Sequence, residues 1–405
     1  MTDYLPLTTL ESIAQAERSL YWPVFARLPV CFEWGKGTKI YDLEGKEYLD
    51  FISGIGVALL GHAHPAVTQA IREQAELLIS CSNVFYSRPQ LHLLQRLAAH
   101  LPGGRWFLSN SGAEANEAAI KLARAYGRPS GRFRIITALN SFHGRTLATL
   151  AATGQRGKQE KLEPLPDGFD HVPFNDIDAL ARAITPETVA IMLEPVQGEG
   201  GVYPARREYL ARVAEVCRER GLLLILDEVQ TGLGRTGAFF AFEQFGVEPD
   251  ILTLAKGLAN GIPIGATWAR EDIANVLAPG DHGSTYGGNA LACAAAAAVV
   301  ATIDGEELHL NAAARGEQMA AGLAEIASRS GGIIAEIRSA GLMCAVEFTE
   351  PIAATLVDVL REKGVIVGKV RETIVRMLPP LIVEEHDVNR FLSVFDEALR
   401  EVAAR

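Results

Sequence analysis

Two charged residues stand directly after short apolar runs, where they could carry chemistry. Lys256 follows Ile251–Leu254 and has small or apolar neighbours, and Asp227 follows Leu222–Leu226. Burial lowers the pKa of an amine, which makes a lysine fit for Schiff-base chemistry. A buried acid needs a cationic partner, such as a protonated pyridine nitrogen or a magnesium ion. The alternative for Lys256 is an ordinary surface lysine that happens to follow a strand.

A run of small residues, Ser109–Asn116, leads directly into a helical pattern. The first N–H groups of a helix are free and its N-terminus is partly positive, so this run could bind a phosphate. The alternative is a simple N-cap, because Ser and Asn favour that position. A magnesium–nucleotide site at Asp227 would also need the pattern GxxxxGK[ST], and Gly35–Thr38 lacks its first glycine and its spacing.

Two arginines are candidates to bind substrate carboxylates. Arginine grips a carboxylate with two parallel hydrogen bonds, and both Arg145 and Arg376 could do so. Phe142, close to Arg145, could stack on a flat ring, and Glu199 belongs to the same set. The alternative for each arginine is a surface ion pair.

An α/β fold is predicted to hold these residues, because short β-branched runs alternate with helical patterns. Open α/β sheets place their ligand sites at the ends of strands, which is where the candidate residues fall. The predicted helices cover residues 66–79, 114–126 and 206–220, the last of them ending at Gly221. The predicted strands are Arg134–Ala138, Val189–Leu193, Leu222–Leu226, Ile251–Leu254 and Ala266–Trp268.

The pattern changes beyond about residue 300. Strands over residues 342–348, 365–370 and 375–378 mix there with two helices, which predicts a smaller α+β unit. The irregular first segment is expected to pack on that unit or on a partner subunit. The predicted division is therefore an N-terminal segment at 1–60, a large domain at 61–300 and a small domain at 301–405.

Composition limits the partners. The net charge of −11 leaves no basic surplus for nucleic acid. The five scattered cysteines form no CxxC, which favours a reducing compartment. The N-terminus lacks the features of a secretory signal, and the apolar stretch near Leu291–Thr302 is too short to span a bilayer, so we expect a cytoplasmic protein away from the membrane. His62 and His64 have a possible metal spacing but no third ligand nearby, so no metal site is predicted.

Taken together, the motifs resemble the class III aminotransferases of pyridoxal-phosphate fold type I, the family of the ornithine and acetylornithine enzymes. The resemblance runs over nearly the whole chain, and it implies pyridoxal 5'-phosphate as the cofactor. It also implies a large domain with a mostly parallel central sheet covered by helices, plus a smaller α+β domain formed by the N- and C-terminal segments. The motifs are Gly61–Pro65, Ser109–Ala115, Phe142–Thr146, Glu194–Gly201, Asp227–Gly237, Ala255–Gly257 and His282–Asn289.

The resemblance implies a role for each residue around the cofactor ring. Lys256 would join the cofactor through its amine and later move the proton at the substrate Cα. Asp227 would pair with the pyridine nitrogen and keep it protonated, so that the ring can accept electrons. Gln230 would hydrogen-bond the ring oxygen, and Val229 and Phe142 would pack on the two ring faces.

The resemblance also places the cofactor phosphate. Ser111, Gly112 and Ala113 would surround it, with Gly112 and Ala113 binding it through their backbone N–H groups. Ser284 and Thr285 resemble the family's phosphate contact from the neighbouring subunit. A homodimer with two shared active sites is therefore expected.

A transaminase of this family accepts two different donors in one pocket. Glutamate carries a carboxylate beside its reacting amine, whereas a terminal (ω) amine does not, so an arginine waiting for that carboxylate would be left unpaired. The resemblance implies that Glu199 and Arg376 close on each other for the ω-amine and open for glutamate. Arg145 would then take the distal carboxylate of either donor.

Two positions bear on the choice of the ω-amine. Ornithine aminotransferases carry tyrosines at the positions that match Ile55 and Phe25, and these hold the free α-amino end of ornithine. The absence of both hydroxyls suits an acylated or absent α-amino end. The segments 53–57 and 82–86 look like those of acetylornithine aminotransferases, so N-acetylornithine with 2-oxoglutarate, in arginine biosynthesis, is the expected pair. 4-Aminobutyrate, succinylornithine and carrier-linked lysine remain open as donors. An aminomutase of the same fold and a non-catalytic scaffold are alternatives of other classes.

Overall fold

The computed structural model describes residues 7–404, so the ends of the first and last predicted segments, residues 1–6 and Arg405, lie outside it. The strands are β1 Phe32–Lys36, β2 Lys39–Asp42, β3 Glu47–Asp50, β4 Gly104–Ser109, β5 Arg134–Ala138, β6 Phe169–Val172, β7 Thr188–Leu193, β8 Val196–Gln197, β9 Tyr203–Pro204, β10 Leu223–Asp227, β11 Ile251–Leu254, β12 Gly265–Arg270, β13 Ile334–Ala340, β14 Met343–Phe348, β15 Val365–Ile366, β16 Gly368–Arg371 and β17 Ile374–Met377.

Helices connect and cover these strands. They are α1 Leu10–Leu20, α2 Ser53–Gly56, α3 Pro65–Leu77, α4 Arg88–His100, α5 Gly112–Gly127, α6 Leu147–Ala152, α7 Ile177–Ala183, α8 Gly198–Gly201, α9 Arg207–Arg220, α10 Glu271–Ala274, α11 Ala290–Gly305, α12 Leu308–Ser328, α13 Ala353–Glu362 and α14 Glu385–Ala403. Short 3₁₀ turns lie at Arg128–Ser130, Arg156–Lys158, Glu160–Leu162, Ala241–Phe245 and Lys256–Ala259. Among residues 7–404, no helix has both the length and the apolar character needed to cross a membrane.

The central sheet has seven strands in the order β4-β12-β11-β10-β7-β5-β6. All neighbours from β11 to β6 pair in parallel, and β12 alone runs against both of its neighbours. Alternate side chains of a strand point to opposite faces. Leu223 and Ile225 therefore pack into a core shared with α5, while Leu224 and Leu226 pack into the larger core shared with α9. Helices on both faces explain why Leu222–Leu226, which covers most of β10, is an unbroken apolar run.

Two further sheets join the ends of the chain. Strands β1, β2 and β3 form one sheet with β15, in which Leu49 pairs with Val365. Phe51, just after β3, stacks on Phe391 of α14 with ring centroids 4.6 Å apart. The other sheet, β13-β14-β17-β16, is antiparallel and made from the C-terminal part alone. The N-terminal strands therefore pair with a C-terminal strand, while the predicted division at residues 60 and 300 stays a prediction.

The strands predicted in the central sheet are confirmed to within two residues, and two predictions in the C-terminal part are wrong. The predicted strand over 365–370 is two strands, because β15 pairs with β3 whereas β16 pairs with β17. The last hundred residues contain three helices, α12, α13 and α14, rather than two. The third helix, α14, buries Val388, Phe391 and Phe395 at helical spacing.

Candidate active site

Four neighbouring parallel strands end at one edge of the central sheet, and each is followed closely by a polar or aromatic residue of the site. In spatial order, β11, β10, β7 and β5 lead to Lys256, Asp227, Glu194 and Phe142. Asp227 is the last residue of β10 and pairs with Thr253, three positions before Lys256. The parallel ladder therefore brings together residues that are far apart in sequence, at the edge where such sheets bind ligands.

Asp227 is a buried carboxylate with three hydrogen-bond donors. Its Oδ2 accepts from Asn116 Nδ2 and lies against His143 Nδ1, both at 2.7 Å, and its Oδ1 accepts from the Val229 N–H at 3.0 Å. Asn116 is held in turn by Thr253, whose Oγ1 donates to Asn116 Oδ1 at 2.7 Å. Charge-assisted bonds of this kind stabilise the ionised form of a buried acid.

His143 and Glu194 extend this network beneath the site. Burial favours neutral His143, but the hydrogen bond and charge of Asp227, together with the charge of Glu194, raise the pKa of His143 above its ordinary value. Burial raises the pKa of Glu194 to about 7, against the opposing charge of His143. Glu194 Oε2 accepts from the Phe142 N–H at 3.0 Å. The network therefore fixes both the buried acid and the backbone that carries Phe142.

Lys256 begins the 3₁₀ turn after β11 and is partly buried. Its φ of +43° is unusual for a residue with a side chain, and such backbone strain is concentrated at functional sites. Within residues 7–404, no group is hydrogen-bonded to its amine. Burial lowers the pKa of Lys256 and the charge of Arg376 adds to this, whereas Glu199, Asp227 and Glu194 oppose it. The result is an unbonded amine that loses its proton more easily than an exposed lysine does.

The N-terminus of α5 lies beside this network. Ser111 is the N-cap, and its side chain accepts from the Glu114 N–H at 3.1 Å. The N–H groups of Gly112 and Ala113 precede the first intrahelical bond, so they are free to bind an anion. A Cβ at Gly112 would lie only 2.8 Å from Val229 Cγ1, so the close approach of α5 to the turn after β10 requires glycine at this position.

Glu199 and Arg376 form the ion pair that the family resemblance implied. Arg376, which is 3% exposed on β17, donates from Nη1 to Glu199 Oε1 at 2.7 Å and to the Gly198 carbonyl at 2.9 Å. Gln230 joins them, with its Nε2 3.4 Å from Glu199 Oε1. Burial alone would raise the pKa of Glu199, but the charges of Arg376 and Lys256 lower it to about 2. Glu199 therefore carries its negative charge at neutral pH.

Arg145 is exposed, and no carboxylate pairs with it among the described residues. Its guanidinium carbon lies 5.6 Å from the centroid of the Phe142 ring. A free arginine beside an aromatic ring can bind a carboxylate from a ligand.

Ile55 lies on a left-handed turn at the edge of the site. Ser53, Gly54, Ile55 and Gly56 all have positive φ, and Ile55 has φ 66° and ψ 49°. A Cβ at Gly56 would be 3.9 Å from Gln230 Cγ, which places this turn against the ring of site residues. A β-branched residue in this conformation is strained, and Ile55 nevertheless leaves nearly half of its surface exposed.

Three other predicted site residues lie further out. Ser284 Oγ is 3.2 Å from Asn110 Nδ2, just before the N-terminus of α5, and Thr285 beside it is exposed. Phe25 is exposed and packs with Tyr21 and Arg27 of the N-terminal segment. A substrate contact of Phe25 stays a prediction.

Comparison with known proteins decides the family. Residues 24–399 match the family model of the class-III aminotransferases. The chain belongs to this family. It is 47% identical to the acetylornithine aminotransferase of Methanocaldococcus jannaschii, over 97% of this chain and 99% of that protein. It is 46% identical to the acetylornithine aminotransferase of Gloeobacter violaceus, over 95% and 97% of the two chains.

Solved structures of an ornithine and an acetylornithine aminotransferase share the fold. The ornithine aminotransferase of Toxoplasma gondii superposes with a TM-score of 0.94 at 34% identity, covering 98% of this chain and 96% of that one. The acetylornithine aminotransferase of Elizabethkingia anophelis superposes with a TM-score of 0.87 at 31% identity, covering 97% and 99%. The protein is a pyridoxal-phosphate-dependent transaminase of fold type I.

The residues at the strand ends fit the cofactor of a class-III aminotransferase. Lys256 offers an amine without an internal partner, and Asp227 offers a buried negative charge beside it. Gly112 and Ala113 offer free N–H groups for a phosphate. An aldehyde, a ring nitrogen and a phosphate could therefore all be matched at this one edge of the sheet.

Three residues of this aminotransferase site were assigned no role from the sequence. Asn116, His143 and Glu194 support Asp227 and Phe142, and they lie in the sequence motifs Ser109–Asn116, Phe142–Thr146 and Glu194–Gly201. Asn116 lies one helical turn after Gly112, which puts it on the same side of α5. The spacing alone could have indicated that Asn116 faces the same side of α5 as Gly112. Only the packing of α5 on the sheet shows that Asn116 contacts Asp227.

Replacing Ile55 with glycine should stabilise the protein. Glycine adopts positive φ without steric strain, so we expect Ile55→Gly to raise the free energy of unfolding by about 1 kcal/mol, measured by urea denaturation. Val276, another β-branched residue, is the matched control, since it is 39% exposed against 47% for Ile55 and lacks a positive φ. Val276→Gly should lower the stability. Equal losses in both variants would show that Ile55 is not strained.

Proposed function

We propose that this aminotransferase transfers the δ-amino group of N-acetylornithine to 2-oxoglutarate, a step of arginine biosynthesis. The relatives named above, at 46 and 47% identity over nearly their full lengths, are acetylornithine aminotransferases. The aliphatic side chain of Ile55 at the edge of the site supports an acylated rather than a charged α-amino end.

The ion pair of Glu199 with Arg376 is the observation that carries this proposal. Arg376 is buried, so it would be strongly disfavoured without a negative partner. Glu199 supplies that partner when the donor is an ω-amine with no carboxylate beside its reacting carbon. Glutamate brings its own α-carboxylate, which would displace Glu199 from Arg376. One pocket can thus accept both donors.

Bound pyridoxal phosphate supplies an aldehyde that takes the amino group and a ring that withdraws electrons from the reacting carbon. Lys256 would hold the cofactor through its Nζ and then move the proton at the donor carbon, for which its lowered pKa suits it. Asp227 would hold the positive charge of the ring nitrogen. Gln230 would bind the ring oxygen, and Val229 and Phe142 would pack on the ring faces.

The anchoring groups of cofactor and substrate complete the proposed site. Ser111, Gly112 and Ala113 would hold the phosphate at the N-terminus of α5. Arg145 would bind the distal carboxylate of either donor, because it has no protein carboxylate of its own. The reacting carbon is thereby held between Lys256 and the arginines, which is how orientation accelerates the transfer.

A homodimer is the proposed working form. The segment from α3 to α4 exposes Leu77, Val84, Phe85 and Tyr86, of which Tyr86 is fully exposed, and apolar patches of this kind mark interfaces. Asn83 Nδ2 in this segment donates to the Ser284 carbonyl at 3.0 Å. The same surface therefore carries Ser284 and Thr285, which would reach the phosphate of the partner subunit.

Glu199→Gln should separate the two half-reactions. Without the negative charge, Arg376 stays unpaired with N-acetylornithine, so we expect that half-reaction to slow by about 10- to 100-fold. The glutamate half-reaction should change by less than about threefold, because glutamate pairs with Arg376 itself. Stopped-flow absorbance of the cofactor measures both, with the exposed Glu208→Gln as control. Equal losses in both half-reactions would remove the proposed role of the pair.

A panel of amines with 2-oxoglutarate tests the donor. We expect kcat/KM for N-acetylornithine to exceed that for 4-aminobutyrate and ornithine by more than about tenfold, or about 1.4 kcal/mol in barrier. Succinylornithine and an N-acylated lysine complete the panel. A preference for 4-aminobutyrate would replace the proposed donor, and turnover of an amine without consumption of 2-oxoglutarate would indicate an aminomutase.

Charge on the apolar segment should break the dimer. In sedimentation, the wild-type protein should run at about twice the chain mass, and Val84→Asp with Phe85→Asp should run as a monomer, because buried like charges are disfavoured. If the double variant stays dimeric, the interface lies elsewhere. The exposed Leu162→Asp is the control for a change outside this surface.

A further inference from the structure

Two cations flank the Phe142 ring, and only one of them has a role so far. Lys158 Nζ lies 5.5 Å from the ring centroid, and the Arg145 guanidinium carbon lies 5.6 Å from it. Arg371 contacts the same loop, since its Nη2 donates to Asn140 Oδ1 at 2.8 Å, two residues before Phe142. Lys158 therefore lies against the same ring as Arg145, the residue proposed to bind the distal carboxylate of the substrate.

The backbone around Lys158 is held in place by the loop that carries Phe142. Gln155 Nε2 donates to the Ser141 carbonyl at 3.0 Å, and the Gly154 N–H donates to Ser141 Oγ at the same distance. On the other side, Gln159 Nε2 donates to the Thr153 carbonyl at 2.7 Å. These bonds fix the 3₁₀ turn Arg156–Lys158, so its last side chain is pre-positioned rather than free on the surface.

Lys158 has no negative partner within residues 7–404. Its amine is hydrogen-bonded to the neutral Gln155 side chain, and no carboxylate pairs with it. Burial lowers the pKa of Lys158, and the positive charges of Arg145, Arg371 and Arg376 lower it further. Glu199, a carboxylate that opposes these charges, is already paired with Arg376. A partly buried amine among three cations is disfavoured unless an anion from outside joins the site.

We propose that Lys158 is a specificity-determining residue that binds the distal carboxylate of the substrate together with Arg145. This inference rests on the proposed function, because it requires a donor with a carboxylate remote from its reacting amine. Two cations on one carboxylate bind it more tightly than one, and they select against amines that lack it. Both N-acetylornithine and glutamate carry such a group, so Lys158 would serve both half-reactions.

A matched pair of amines tests this role. N-Acetylputrescine is N-acetylornithine without its carboxylate. A loss of the Lys158 contact should therefore weaken the binding of N-acetylornithine and leave the binding of N-acetylputrescine unchanged. In single-turnover measurements on the holoenzyme, we expect Lys158→Gln to raise the concentration for half-saturation by N-acetylornithine about tenfold or more. The rate at saturation, and all constants for N-acetylputrescine, should change by less than about twofold.

Variants of the same segment provide the controls. Lys158→Arg keeps the charge and should restore binding of N-acetylornithine to near the wild-type level. The exposed Lys161→Gln removes a nearby charge outside the site and should have no effect. Equal losses for both amines would assign Lys158 a structural role, and unchanged binding of N-acetylornithine would show that it does not meet the carboxylate. Either outcome overturns the inference.

Glutamate separates a failure of this inference from a failure of the proposed donor. 2-Aminobutyrate is glutamate without its distal carboxylate, and the comparison holds whichever ω-amine the enzyme uses. Lys158→Gln should raise the glutamate concentration for half-saturation about tenfold. The corresponding concentration for 2-aminobutyrate should stay unchanged. The wild-type enzyme could fail to react with N-acetylornithine while glutamate and 2-aminobutyrate still show the expected difference in Lys158→Gln. In that case the proposed donor is wrong and the role of Lys158 is supported.

Discussion

An ionised carboxylate out of contact with water must be surrounded by donors and positive charge, and Asp227 is placed under that constraint. Asn116, His143 and the Val229 N–H supply the donors from three separate segments. Each of them depends on the sheet: Asn116 on the packing of α5, His143 on the loop after β5, and Val229 on the turn after β10. The hydrogen bonds to the buried acid therefore form only when the central sheet and the segments packed on it are in place.

On the substrate side of the site, the buried groups are positively charged, so they need negative partners. Arg376 is buried and already neutralised by Glu199, whereas Arg145 and Lys158 face the Phe142 ring without a carboxylate of the protein. Of these three cations, one is therefore paired with a carboxylate of the protein and two are available to an anion from outside. In the proposed function, this asymmetry suits a donor whose carboxylate is remote from the amine, and glutamate would displace Glu199 from Arg376. In the same proposal, Ile55, held in a strained turn, would limit what can occupy the remaining edge of the site.

Prediction from the sequence succeeded where local pattern and tertiary role coincide. β10 and β11 are mostly apolar strands, the first ending in Asp227 and the second followed by Ala255 and Lys256, so both the strands and the positions of Asp227 and Lys256 could be predicted. It failed where one run serves two sheets: the residues of β15 and β16 are continuous in pattern, but β15 pairs with β3, more than three hundred residues earlier. Long-range pairing of this kind leaves no local signal.

The sequence alone determined the fold class, the family and the identity of the charged residues, because apolar periodicity and ordered motifs are properties of the chain itself. Tertiary structure decided which groups meet. Asn116 and His143 converge on one oxygen of Asp227, and Lys158 reaches the ring of Phe142, only because parallel strands and the loops after them end at one edge. Burial, which shifts the pKa of Lys256 and of Glu194, is likewise a property of that three-dimensional arrangement and of no single segment.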